Sequence, residues 1–192
     1  MTTALESLLV GVVLGFSLAV PPGPMNAWIA AVAARSFRAG VVTGFGAMTA
    51  DAILGAVVYL LDRTVDLHSV VRAVYLLGAG VMAYLGARLL RRTPQDGRDL
   101  PDRRTFFRAV VLGLSNPFQV LWWLTAGIAF AYLGGIVLLI GLFGAIVVWI
   151  VAFPWAVHAG ARQHPSVERW VRIASAAILV AFAIYFVALF VA

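Results

Sequence analysis

Residues 5–34 read LESLLVGVVLGFSLAVPPGPMNAWIAAVAA, an apolar run interrupted near its middle by Pro21-Pro22-Gly23-Pro24. A helix crosses the hydrocarbon core with about 20 apolar residues, and this run is about 30 long. Proline lacks an N–H and clashes with the preceding turn. Gly23 is expected to open unusual dihedrals. In lipid, backbone groups freed by such a break must find partners, so breaks survive only where protein or a water-filled cavity covers them. The stretch predicts a membrane segment made of two half-helices. Asn26 sits beside the break with an amide suited to satisfy freed carbonyls or to hold a substrate.

Five more apolar runs follow: 39–61, 70–90, 106–133, 136–159 and 170–192. The fourth is also overlong and is interrupted by Asn116-Pro117. The chain of 192 residues is 63% apolar and 11% charged, with a mean hydropathy of +0.99. A soluble domain carries roughly a quarter charged residues, so an ordinary soluble enzyme, a disordered chain and a disulfide scaffold are excluded. There is no cysteine, which removes disulfides, Fe–S clusters and thiolate metal sites. The first run lacks a basic leading region, which argues against a cleaved signal peptide.

The net charge of +6 comes from 14 basic residues, all Arg, against 8 acids. In a soluble protein a pI near 10.8 suggests nucleic acid. Position changes that reading. Six spans place Arg35, Arg38, Arg88, Arg91, Arg92, Arg98, Arg103, Arg104, Arg108, Arg162, Arg169 and Arg172 on one side, and only Arg63 and Arg72 on the other. Short loops rich in Arg stay in the cytoplasm. Both termini are therefore expected outside, and residues 91–105 form a cytoplasmic loop with no nucleic-acid role.

The breaks fall at corresponding places in residues 1–90 and 106–192, and Gly15-Phe16-Ser17 before the first echoes Gly113-Leu114-Ser115 before the second. Three spans per half means that the halves are inverted. Paired interrupted helices in an inverted repeat point to a transporter site near the midplane. The expected fold is one all-α transmembrane domain over 1–192: six helices in two inverted three-helix repeats, with helices one and four broken.

Asp51 is the only acid deep in an apolar run. An ionised Asp at mid-span costs about 2.5–3.5 kcal/mol on insertion scales, so it should face the bundle interior. No Arg lies mid-span to pair with it; Thr49, Asn26 and Asn116 are candidate neighbours. Such a group can bind a cationic substrate group, an ion or a coupling proton. Trp28 and Trp122 each follow a break by a turn or so, where an indole can stack on an ammonium.

Pro22-Gly23-Pro24-Met25-Asn26-Ala27, with Arg35, Arg38, Gly40 and Ala50-Asp51 downstream, resembles the first half of the LysE-type (lysine exporter) amino-acid translocators. Ser115-Asn116-Pro117 is similar to that family's second signature. The resemblance implies secondary export of amino acids or related small metabolites, driven by a proton gradient or the membrane potential. It implies an antiporter in a prokaryotic plasma membrane. It also implies site residues at Pro22, Gly23, Pro24, Asn26, Asp51, Asn116 and Pro117. After Asn-Pro, where basic-amino-acid exporters tend to carry a polar or acidic residue, this chain reads Phe118-Gln119-Val120-Leu121-Trp122-Trp123.

A cation channel or metal-cation exporter is the alternative, although His68, His158 and His164 lie in loops or near span ends. A soft metal would want thiolate or imidazole ligands. Catalysis is not expected: Ser17 and Ser115 have no mid-span His as base. No cofactor is implied. Gly11-x-x-x-Gly15 and Gly40-x-x-x-Gly44 permit close helix approach, within the chain or in a homodimer.

Overall fold

The computed structural model describes residues 3–61, 67–91, 102–124 and 135–191, and all its regular structure there is helical. The helices are α1 (Ala4–Ala19), α2 (Pro24–Ala33), α3 (Phe37–Leu61), α4 (Leu67–Arg91), α5 (Asp102–Leu114), α6 (117–124), α7 (Gly135–Gln163) and α8 (Pro165–Val191). Arg63, Arg92 and Arg98, and the polar loop from 92 to 101, lie outside the described residues.

Among the described residues, three helices are long and apolar enough to cross a membrane: Phe37–Val58, Gly135–Gln163 and Ser166–Val191. The pair α1 and α2, bent by 77° at the proline-rich break, makes a fourth candidate. The first run is thus broken where the prolines stand. Gly23 itself is extended, with φ −165° and ψ −177°, which any residue adopts. The expected special dihedral is absent, and a Cβ there would meet only Pro21 O at 4.0 Å. The prolines make the break.

α1 opens on a capping box: Thr3 accepts from Glu6 N–H and Glu6 accepts from Thr3 N–H. It then lies along α7. Gly11 abuts the Leu138 carbonyl, Gly15 the Leu142 carbonyl, and Gly141 the Leu8 carbonyl. From Gly11–Leu138 to Gly15–Leu142 and Ala145 the contacts advance along both helices in step, so α1 and α7 run parallel. The second half repeats the device: Gly46 on α3 meets Phe106 and Ala109 on α5, while Gly113 meets Ala50. α3 and α5 are therefore also parallel. α4 and α8 run opposite ways, since Tyr75 stacks on Phe186 while Gly86 meets Ala176, Leu179 and Val180.

Small residues let these backbones approach closely, which dispersion rewards in lipid where apolar burial does not. Both glycine pairs seen in the sequence are used inside the chain: Gly40 meets Ala33 and Pro154, and Gly44 meets Ile150. One core cluster joins Trp28, Met82, Leu112, Leu179 and Phe186, and a second joins Trp123, Leu142, Ile146 and Ile150. Long apolar side chains such as Leu9, Val13, Ile140, Val148 and Ile184 are exposed around the outside. That distribution suits a lipid solvent and would be unfavourable in water.

Candidate functional site

The two breaks meet at one cavity of ≈ 310 Å³. Pro21, Pro22, Gly23, Pro24 and Asn26 line it from the first break, and Asn116, Phe118, Gln119 and Trp122 from the second. Asp51 and Met48 line it from α3, Ile146, Trp149 and Ile150 from α7, and Phe182 from α8. Residues far apart in sequence converge because α1 packs on α7 and α5 on α3, which brings the end of each first half-helix against a span of the other half.

Asn26 closes the first break. Its Nδ2 donates to the Ala19 carbonyl at 2.7 Å and the Pro21 carbonyl at 2.9 Å, with the Val20 carbonyl at 3.5 Å. These carbonyls lie where α1 ends and helical partners run out. Trp149 Nε1 donates to Asn26 Oδ1 at 3.2 Å. Both ends of the amide are thus occupied by protein groups. No side chain caps α2, whose first helical residue is Pro24.

The second break is closed differently. Asn116 N–H donates to Gly113 O, and its Oδ1 accepts from Phe118 N–H at 3.2 Å. Pro117 occupies the first helical position, where its missing N–H costs nothing. Pro117 is fully buried, and Gly78 on α4 comes up against the Ser115 carbonyl and the Pro117 ring.

Asp51 is buried, with 5% of its surface exposed. Gln119 Nε2 donates to its Oδ1 at 2.7 Å, and Trp123 Nε1 donates to the same oxygen at 2.9 Å. Gln119 Nε2 also lies 3.4 Å from the Ala47 carbonyl. Among the described residues no donor reaches Oδ2. Both donors belong to α6. Gln119 and Trp123 are four apart and share a helix face, so the second half-helix grips the acid of α3 twice.

Neither donor was among the residues expected from the sequence. The sequence marks Gln119 only as part of the largely apolar stretch after Asn-Pro, and of the two adjacent indoles it favours Trp122. The available signal was the i, i+4 spacing of a polar residue and an indole in an apolar run. Trp122 does line the cavity and meets Trp123 edge-on, with ring centroids 5.3 Å apart. Trp28 does not line it: it is 1% exposed and packs in the core with Met82 and Leu112. Thr49 Oγ1 donates to Phe45 O of its own helix at 2.8 Å and is not part of the cavity wall.

The profile of the LysE type translocator family matches residues 16–189, which takes in both breaks, Asp51 and its two donors. The chain belongs to the LysE type translocator family. It is a multi-pass membrane protein. It is 36% identical over 121 residues to a Bacillus subtilis (strain 168) protein named "Putative amino acid efflux protein YcgF". That match covers 59% of this chain and 58% of the relative, so the chain spans under two thirds of the relative's length. No solved structure matches the chain.

A second group of polar side chains lies at the end of the bundle where α2 gives way to α3. At that end, Arg35 Nε donates to Glu168 Oε1 at 2.9 Å, and His158 Nδ1 lies 3.0 Å from the Ala33 carbonyl. Among the described residues, no three His, Cys, Asp or Glu side chains gather as a metal ion would require.

Proposed function

We propose that the protein is a secondary exporter of amino acids, with the cavity between the breaks as its substrate site. The observation that carries this reading is the convergence of two half-helix N-termini and Asp51, the one buried carboxylate among the described residues, on one cavity. A free amino acid is a zwitterion. Its carboxylate suits the uncapped N-terminus of α2, where unpaired N–H groups and the helix dipole favour negative charge. Its ammonium suits Asp51, whose Oδ2 accepts from no described protein donor while Oδ1 is held in place. Family membership and the name of the B. subtilis relative support the same class of cargo.

Six spans in two inverted repeats are the architecture we assign. The parallel pairing of α1 with α7 and of α5 with α3 supports it, as does the antiparallel pairing of α4 with α8. A chain that crosses six times gives those three directions. Exchanging the halves maps the first pairing onto the second, as a two-fold axis in the membrane plane would. We place both termini outside, in keeping with the Arg distribution.

In this mechanism the bundle alternates access around the breaks. Asp51 binds either the ammonium or a proton, so outward substrate movement is exchanged for inward proton movement. Occupancy can shift the two states only by its differential affinity for them. The test is Asp51→Asn in proteoliposomes, measuring proton-gradient-driven amino-acid flux. Coupled flux is expected to disappear, and wild-type coupled flux in the variant would overturn the role given to Asp51.

A further inference from the structure

We infer that the translocated amino acid carries an uncharged, apolar side chain of branched-aliphatic or aromatic type. This inference rests on the exporter reading above and narrows it.

Apart from Asp51, the polar side chains around the cavity are largely committed to the protein. Asn26 uses its amide on the Ala19 and Pro21 carbonyls and its oxygen on the Trp149 indole. Gln119 holds Asp51, and Ser17 Oγ donates to Leu14 O. Asn116 Oδ1 caps the second half-helix, which leaves its Nδ2 and Gln119 Oε1 as amide atoms without a described partner. A substrate hydroxyl or amide would find few polar atoms left to pair with, and each buried polar group left unmatched costs about 1–3 kcal/mol.

Charge narrows the choice further. Asp51 is the one acid in the described wall, and the common α-ammonium claims it. A lysine-like side chain would need a second acid. An acidic side chain would need a cation, and no Arg or His is among the described lining residues. What remains for the side chain is apolar wall: Met48, Phe118, Trp122, Ile146, Ile150 and Phe182. The volume of ≈ 310 Å³ stands at the small end for ligand sites, about 300–1,000 Å³. One amino acid of moderate size fits that space.

The experiment is counterflow into proteoliposomes of the full chain, with labelled leucine, phenylalanine, serine, lysine and glutamate tested one by one. Leucine and phenylalanine are expected to exceed the other three by about tenfold or more in initial rate, the scale of apolar pocket discrimination. Serine, lysine or glutamate moving as fast as leucine would overturn the apolar assignment and leave the exporter reading intact. Movement of none of the five, by protein shown folded in its thermal transition, would overturn the exporter reading, and this inference with it.

Discussion

Gln119 Nε2 donates to Asp51 Oδ1 across 2.7 Å, and this bond ties the second half-helix to the span that carries the deep acid. Trp123 reinforces it from one turn further along at 2.9 Å. α6 cannot move away from α3 without breaking both bonds. Movement of the second break and the state of Asp51 are therefore coupled in one structural unit.

Replacing Gln119 by Leu, or Trp123 by Phe, removes one donor from Asp51 and keeps most of the apolar volume. A hydrogen bond to a charged group contributes about 1.5–3 kcal/mol. We expect initial amino-acid flux at low substrate to fall by about tenfold or more in each variant, one factor of ten per 1.4 kcal/mol. The double variant should lose less than the sum, since both bonds serve one oxygen. Counterflow rates for the two single variants and the double variant check this, and full additivity would argue against a shared role.

The amide of Asn26 is a brace for the first break. Asn26→Leu leaves the Ala19 and Pro21 carbonyls without their donor, at about 1–3 kcal/mol for the part-buried Ala19 group. Asn26→Asp is expected to be no better, because a carboxylate accepts where these carbonyls need a donor. Both variants should melt several degrees lower in detergent, read by a thermal-shift assay. If Asn26→Asp melts with the wild type, the brace is not what the Nδ2 contacts provide.

One glycine on α1 and one on α7 separate close approach from mere helix content. Gly15 lies against the Leu142 carbonyl and Ala145, so Gly15→Val should disrupt the α1–α7 crossing and reduce the yield of monodisperse protein sharply. Gly144→Ala, where a Cβ meets nothing within 4 Å, should leave yield and melting temperature unchanged. Size-exclusion profiles of the two variants provide the comparison.

The ion pair at the corner between α2 and α3 makes an asymmetric prediction. Arg35 is 13% exposed at its side chain and Glu168 40%. Arg35 Nη1 and Nη2 are buried with no hydrogen-bond partner. Truncating Glu168 strands a mostly buried cation, whereas Arg35→Met removes the cation and its unsatisfied donors together. Glu168→Ala is expected to lower the melting temperature more than Arg35→Met. The reverse order in a thermal-shift assay would show that the pair acts mainly through Glu168.

Orientation is directly testable because the chain has no cysteine. Thr3→Cys and Gln163→Cys, both at exposed positions, place single thiols at opposite ends of the proposed topology. In intact cells a membrane-impermeant maleimide should label position 3 and spare position 163. Labelling of 163 alone would invert the assigned orientation.

The sequence by itself determined the solvent and the breaks. Apolar runs too long for one crossing, each cut by proline, leave a chain in lipid little choice but half-helices around a covered break. A lone Asp in such a run has to turn inward for the same reason, so Asp51 was legible before any coordinates. Which groups face it was not. Gln119 and Trp123 lie 68 and 72 residues from Asp51 in the chain, and only the packing of α5 on α3 through Gly46 and Gly113 brings them to it. Trp28 and Trp122 look alike in sequence, each an indole shortly after a proline. One is buried in the core and the other lines the cavity, because the rotation of each half-helix is set by its neighbours. From sequence, Asn26 serves equally well as a substrate ligand or as a brace. Tertiary structure decided for the brace by placing the carbonyls of α1 within reach of its Nδ2 and Trp149 beside its oxygen. Local sequence dictates where a backbone must break in a membrane, and long-range packing dictates which side chains satisfy the break and which remain for a substrate.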